Sequence, residues 1–508
     1  MSVFSRNIVA NVIGKLLPAV IGLLVVPVYV RLMGVESYGL VGLFASLQSV
    51  LGLLDLGLST TANRELARLS AQAGTAQEAR DLVRTLERVY WGLAAVIALA
   101  VAALAPWLSE SWLQSAQLST AAVQHAIVLM GLAIALQFPA TFYGGGLGGL
   151  QRQVAYNGIA IAVGVLRAIG AVVILTWVSP TIGAFLACQV VMSAVLTIVT
   201  GWRLWASLPS AQAPARFRPA LLSGVRRFAA EMTGISILAV ILTQLDKLIL
   251  SRMLTLEQFG YYSLATVLAT GLYLLASPVY TAAFPRFSQL ISSGDHEGLR
   301  RLYHTSCQLV AAIVLPAALA AAVFSRELLY AWTGNLTTAE AAHQVLSLLM
   351  LGTALNTLAI TPYTLQLAYG WTRLALVQNA VAVACLVPLI VAMTVRYGAA
   401  GAAGMWILLN AGYVSAGLAI MHRRILPGEL SAWYLVDTGR PLIAALAVAL
   451  IFRWMMPPGL ARFALLGWMG MVFCAAFAAA VAAAPHPRQW LWRLFISKKP
   501  ALAGSAAS

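Results

Sequence analysis

The chain has 508 residues, of which 61% are hydrophobic and 9% charged, with a mean hydropathy of +0.86. A soluble globular domain carries about 25% charged residues, so an ordinary water-facing surface is excluded and a bilayer must solvate most of the exterior. The net charge of +16 lies in loops between apolar runs and does not interleave with exposed aromatics, which argues against nucleic acid and for the basic bias of cytoplasmic loops.

The first apolar run extends from about Ile8 to Met33. A signal-peptide core is only about 7–15 residues long, so this run is expected to be the first membrane helix. A membrane helix needs about 20 mostly apolar residues. By that measure further spans follow near Tyr38–Asn63, Val89–Leu108, Ala121–Leu150, Asn157–Val178, Ile182–Trp205, Phe228–Met253, Phe259–Phe284, Tyr303–Phe324, His343–Tyr369, Leu374–Val395, Ala400–Met421, Pro441–Met456 and Phe463–Ala484. The expectation is an all-α integral membrane protein of about 14 transmembrane helices. Residues Asn63–Arg88 mix acidic and basic groups and read as a helical linker lying on the membrane surface.

Loop charge sets the orientation. One set of loops holds 23 of the 32 basic residues and the alternate set holds six, a bias that predicts both termini on the cytoplasmic side. The other three, Lys15, Arg167 and Lys247, fall inside membrane runs.

The sequence also resembles itself. Arg31-Leu-Met-Gly-Val-Glu36-Ser-Tyr38-Gly39 matches Arg252-Met-Leu-Thr-Leu-Glu257-Gln-Phe259-Gly260 at a shift of 221 residues. Pro139, Gly149-Leu-Gln-Arg152 and Asn157 echo Pro362, Gly370-Trp-Thr-Arg373 and Asn379 at shifts of 221 to 223. Two copies, each with an even number of helices, point the same way. The expected architecture is two parallel six-helix lobes around a central cavity, at 1–205 and 228–422. A cytoplasmic linker at 206–227 joins them, and a two-helix hairpin with a cytoplasmic tail fills 423–508. Such lobes suit alternating access.

A charge at mid-bilayer costs at least about 2.5–3.5 kcal/mol, so it lines a cavity or finds a partner. At about 1.5 Å per residue, Lys15 lies roughly 12 Å and Arg167 roughly 15 Å into their helices. Asp246 and Lys247 are adjacent and point about 100° apart. Asp246 pairs with Arg167 or Lys15 across the cavity, or is hydrated near the interface. Asp55 and Glu231 read either as interfacial residues paired to loop arginines or as coupling groups. Substrate contact is assigned to Arg167, Lys15, Lys247 and Asp246, and the excess of buried bases suits an anionic cargo.

Cys188, Cys307, Cys385 and Cys474 lie in apolar runs without metal-ligand spacing and read as four buried thiols. The run Gly144–Gly149 lacks the Lys-Ser/Thr of a phosphate loop, which leaves close helix packing or a bend. Tyr29, Phe142, Tyr143, Tyr273 and Trp406 either stack on sugar rings or anchor the helices at the lipid interface.

Val26-Pro27, Arg31-Leu-Met-Gly34, Tyr38-Gly39, Leu54-Asp55-Leu-Gly57-Leu-Ser59 and Arg64-Glu65-Leu-Ala67 together resemble the opening of Wzx-type polysaccharide flippases. These belong to the multidrug/oligosaccharidyl-lipid/polysaccharide exporter superfamily. Gly149-Leu-Gln-Arg152, Leu166-Arg167, Gln244-Leu-Asp246-Lys-Leu-Ile249, Phe259-Gly260-Tyr-Tyr262-Ser263 and Phe284-Pro285-Arg-Phe287 extend the likeness over about residues 5–425. The resemblance implies transport of undecaprenyl-diphosphate-linked oligosaccharide from the cytoplasmic to the periplasmic leaflet of a bacterial inner membrane, for O-antigen, exopolysaccharide or capsule synthesis. It implies a basic cavity, carried onto this chain at Arg167 and then Lys15, Asp246 and Lys247. Partners would be the lipid-linked substrate, the bilayer and a polysaccharide polymerase with its chain-length machinery; no cofactor is expected. By topology, the last helix pair is similar to one in lipid II flippases that forms a groove for the lipid tail.

Two other functions compete. A multidrug or small-molecule exporter of the same superfamily would show cation-dependent efflux. A glycan polymerase or ligase would need a sizeable outer loop and a catalytic constellation, and the longest outer loop, near Ser325–Ala342, carries neither.

Overall fold

The computed structural model describes the backbone of residues 3–72, 74–221 and 243–489, and side chains from Leu17 onward. Among these residues every regular element is helical, apart from an isolated bridge between Gln114 and Thr255. Among the described residues eleven helices are long and apolar enough to cross a membrane. A spanning segment must bond its own backbone, which the helix does without a partner chain. The packing divides the chain into residues 1–263 and 264–508.

In the first unit α1 (Val3–Met33) leads through Gly34 into α2 (Val35–Leu51) and a 3-10 turn, Gly52–Asp55. The expected span to Asn63 stops short, because Leu56 (φ 50°) and Gly57 (φ 71°) are left-handed and break the helix. The chain resumes as α3 (Leu58–Ser70), whose Arg64 and Arg68 both pair with Glu65 at 2.9 Å. Next comes α4 (Ala76–Trp107), which starts well before the expected Val89. Its first three turns are amphipathic, and the buried face includes Leu82, Leu86 and the fully buried Asp81. After a wide turn at Leu108–Trp112 come α5 (Thr120–Gly149), α6 (Gln153–Trp177) and α7 (Ile182–Ser207). Side-chain caps start two of them, with Ser119 accepting from the Ala122 amide and Thr181 from the Ala184 amide, both at 3.3 Å.

The glycine run of α5 is a packing surface. A Cβ on Gly145 or Gly149 would strike the carbonyls of Ser59 and Asn63, so α3 and α5 approach to backbone contact.

The unit ends with α8, described over residues 243–253, and the first turns of α9 (Leu256–Ser293). Here the two copies of the repeated motif meet. A Cβ on Gly39 would collide with the Leu256 carbonyl, and one on Gly260 with the Val35 carbonyl. Val35 and Leu256 are themselves 221 residues apart, as are Gly39 and Gly260. The contact is therefore reciprocal, as across a two-fold axis. The segment after α4 braces it. The buried Glu36 carboxylate accepts from the amides of Ala116 (2.7 Å) and Gln117 (2.9 Å), and the Leu256 amide donates to the Gln114 carbonyl at 2.8 Å.

The second unit holds the rest of α9, then α10 (His296–Val323), α11 (Ser325–Thr333) and α12 (Leu336–Ala368). In α13 (Thr372–Gly412) two expected spans run on without a loop, and the chain reverses at Gly398 (φ 58°, ψ −145°). That backbone region is essentially closed to residues with a Cβ. A wide π turn at Tyr413–Gly417 leads to α14 (Leu418–Ile425). The final pair is α15 (Leu430–Trp454) and α16 (Arg462–Ala483). The first of these begins before the expected Pro441, because Trp433–Gly439 continues the helix as a π turn with Trp433 and Asp437 buried.

This pair is fastened to α10 and α11 at both ends. At one, Arg453 pairs with Glu327 at 2.6 Å and Arg462 donates to the Ala331 and Trp332 carbonyls at 2.9 Å. Between the ends, Val472 packs with Ala320 and Phe324.

Overpacking a tight crossing costs about 1–3 kcal/mol. Gly39→Ala should therefore lower the midpoint of thermal unfolding in detergent by several degrees, whereas Gly22→Ala, with nothing within 4 Å, should not. Equal midpoints would mean that the backbones do not meet at Gly39.

Candidate functional site

The described residues place Arg167 at mid-helix on α6, between α5 and α7. Its Nη2 donates to Gln137 Oε1 at 3.1 Å and to Ser193 Oγ at 3.5 Å, while Ser193 donates to the same Gln137 oxygen at 3.3 Å. The Tyr29 hydroxyl donates to the neighbouring Ala168 carbonyl at 3.5 Å. Among the described residues no carboxylate pairs with Arg167, and its Nε has no hydrogen-bond partner. A guanidinium oriented by neutral oxygens keeps its full positive charge and spare donors, which is what recognition of an anion requires.

Asp246 does not pair with Arg167. Its Oδ2 accepts from the Tyr262 hydroxyl at 2.9 Å, and Oδ1 is buried without a partner among the described residues. The neighbouring Lys247 turns to its own helix, donating to Gln244 Oε1 at 3.3 Å and the Thr243 carbonyl at 3.5 Å. Asp246 and Lys247 thus share α8 without bonding to each other, and Arg167 sits apart on α6. Lys15 lies on α1, where its side chain is outside the described residues, as is Glu231.

Among the described residues Asp55 has no arginine partner either. It accepts from the buried Tyr90 hydroxyl and from Ser59 Oγ at 2.8 Å. Of the aromatics, Tyr29, Phe142 and Tyr143 are core residues, with Phe142 fully buried. Tyr273 and Trp406 are tied into side-chain hydrogen bonds with Asn356 at 2.9 Å and Thr353 at 3.2 Å. Cys188 and Cys307 are buried as expected, but Cys385 and Cys474 are exposed.

Two polar centres were not singled out from the sequence. In the first unit, Asp81 holds the chain that follows α7. Its Oδ1 accepts from the Arg216 amide at 2.7 Å, its Oδ2 pairs with Arg218 at 2.8 Å, and Thr85 Oγ1 accepts from the Arg218 amide at 2.9 Å. In the second unit, His304 on α10 is flanked by two carboxylates, with Nδ1 2.5 Å from Asp437 and Nε2 3.0 Å from Glu429. With both carboxylates ionised, which then only accept, both ring nitrogens would donate and the imidazole would be cationic. Gln308 donates to Asp437 at 2.8 Å and accepts from the His486 amide at 2.8 Å. Arg300 pairs with the other Glu429 oxygen at 2.7 Å. The sequence signal was a histidine about two turns into a helix that starts with charged residues, but its partners lie 125 and 133 residues away.

The family described as "Polysaccharide biosynthesis protein" matches residues 4–291, and a second, described as MatE, matches residues 232–393. A curated relative from Shigella flexneri, "Putative O-antigen transporter", is 24% identical over 179 residues, which is 35% of this chain and 42% of the relative. The match thus spans less than half of that protein. Among solved structures, "Lipid II flippase MurJ, inward closed conformation" superposes with a TM-score of 0.71 at 13% identity, covering 96% of this chain and 100% of the other. An inward-facing multidrug resistance MATE family transporter of the MOP superfamily gives 0.64 at 15% identity, covering 84% and 99%. At these identities the likeness is one of fold.

Breaking a buried ion pair by removing one partner costs about 3–5 kcal/mol. His304→Ala should therefore speed hydrogen exchange across residues 430–454, and adding Asp437→Asn, which removes the stranded charge, should recover part of the loss. Unchanged exchange in the single variant would show that His304 does not hold this segment.

Proposed function

The chain belongs to the polysaccharide biosynthesis protein family, and on that premise we propose that it is a flippase. Its cargo is an undecaprenyl-diphosphate-linked oligosaccharide, carried from the cytoplasmic to the periplasmic leaflet of a bacterial inner membrane. The observation that carries the reading is Arg167: a guanidinium at the middle of an apolar, membrane-length helix, positioned by Gln137 and Ser193, with no carboxylate to neutralise it among the described residues. Such a group is expensive unless it lines an aqueous path, and its spare donors suit a diphosphate or an acidic sugar. Lys15, Asp246 and Lys247 are the further contacts proposed.

The proposed arrangement is two parallel six-helix lobes, 1–205 and 228–422, joined by the linker 206–227 and followed by the segment 423–508, with both termini cytoplasmic. The reciprocal crossing of Gly39 and Gly260 supports the repeat on which this rests. In the alternating-access cycle, parting the two motif copies would open the outer side. Glu36 and Gln114 would then exchange backbone partners for water.

A second reading is a multidrug exporter, which the MatE match over residues 232–393 favours. The two differ in what accumulates when the protein is lost.

Deletion should abolish surface glycan and leave lipid-linked repeat units on the cytoplasmic leaflet. Surface glycan that persists in a strain without a paralogue would end the flippase reading, and drug sensitivity with normal glycan would favour the exporter. Arg167→Ala should reduce glycan export about tenfold or more at unchanged protein level, the effect of losing one charge-assisted contact of about 1.5–3 kcal/mol. Export at the wild-type rate would remove Arg167 from the site.

A further inference from the structure

The first half of α13 and its second half, continued through the π turn into α14, enclose a cleft of about 420 Å³ that the transport reading does not use. One wall carries Val377, Val381 and Leu389, and the other Met405, Leu408 and Ile420. Gly412 and Gly417 line it where the π turn widens the second helix, a distortion often found at functional positions. From Leu374 to Leu389 the cleft follows the helix for about 22 Å, enough to cross one leaflet, whose hydrocarbon depth is about 15 Å. Val377, Val381 and Leu408 are more than half exposed, so the cleft is open along its side.

One end is basic. Arg373 precedes the first wall, and Arg423 and Arg424 follow the second. All three are exposed, and none is in an ion pair among the described residues. Arg424 lies over the Trp371 ring at 4.4 Å, an aromatic–cation pairing suited to the headgroup level. An apolar slot one leaflet deep with an unneutralised basic mouth complements an amphiphile that joins a hydrocarbon chain to a phosphate.

We propose that this cleft binds one anionic glycerophospholipid of the surrounding leaflet, with an acyl chain between the halves of α13 and the phosphate on Arg373, Arg423 and Arg424. The side opening admits a bilayer lipid directly, which favours a resident phospholipid over cargo in transit. Anionic lipids supply the negative surface of the cytoplasmic leaflet, where the loop charge pattern puts these arginines. The proposal needs only that the chain is membrane-embedded, and it stands apart from the flippase reading.

The test uses the full chain in nanodiscs of phosphatidylcholine with a trace of phosphatidylglycerol carrying a diazirine in one acyl chain. After photolysis, adducts should fall on the segments 374–396 and 397–423. Excess unlabelled phosphatidylglycerol should suppress them about fivefold or more, the scale of one arginine–phosphate contact, while an equal amount of zwitterionic phosphatidylethanolamine should not. The combined variant Arg373→Gln, Arg423→Gln and Arg424→Gln should lose the labelling to a similar degree. Equal suppression by phosphatidylethanolamine, or undiminished labelling in that variant, would overturn the proposal. Displacement by undecaprenyl phosphate but not by phosphatidylglycerol would also overturn it, and would assign the cleft to the carrier lipid. The competition on the native sequence decides the matter even if the variant does not fold.

Discussion

Hydrocarbon offers a polar group no partner, and the buried polar side chains described above, apart from Arg167 Nε and Asp246 Oδ1, find theirs within the protein. The helical backbone satisfies itself. Asp55 is met by Tyr90 and Ser59, Asp246 by Tyr262, and Asn356 by Tyr273 and Asn410. These partners are neutral hydroxyls and amides, which orient a charge without cancelling it. Arg167 is the strongest case, because its carriers are an amide oxygen and a hydroxyl. Opposite charges meet nearer the helix termini, as Arg453 meets Glu327 and as His304 meets Asp437 and Glu429. Neutral support in the middle and ion pairs at the ends is the distribution expected if the middle of the protein handles a charged solute and the ends hold the frame.

Glycine does the complementary work. Gly145 and Gly149 bring α5 onto the backbone of α3, and Gly39 and Gly260 bring the two motif copies together. In lipid, apolar side chains gain little by leaving the solvent, so close backbone approach is a main source of helix association. A crossing made by small residues also parts without stripping large apolar surfaces from each other, which suits an interface that opens and closes.

Much of the fold was legible in the sequence. Runs of about 20 apolar residues mark helices wherever they occur, and the 221-residue shift identified the pair of turns that proves to be in contact. The break at Leu56–Gly57 was not legible, because the apolar run continues through Ser59 and hydropathy does not register a left-handed backbone. The reversal inside α13 was legible as the gap between two expected spans, which Arg396 marks, although a single glycine, Gly398, is all that breaks the helix. The site was less legible than the fold. Position along a helix gave the depth of Arg167 but not its partners, and the pairing offered for Asp246 went to Tyr262, a residue on the next helix that no charge rule selects. His304 needed knowledge of contacts more than 120 residues apart in sequence.

The fastening of the last helix pair has a consequence for how the protein is made. Asp437 follows His304 by 133 residues. At about 5–20 residues per second, a ribosome takes on the order of 7–27 s to travel that distance. During this interval α10 is already synthesised, with its histidine, Gln308 and Arg300 awaiting groups that do not yet exist. A transcript cut short before codon 429 would deliver every helix from α1 to α14 and still leave that end of α10 unfinished.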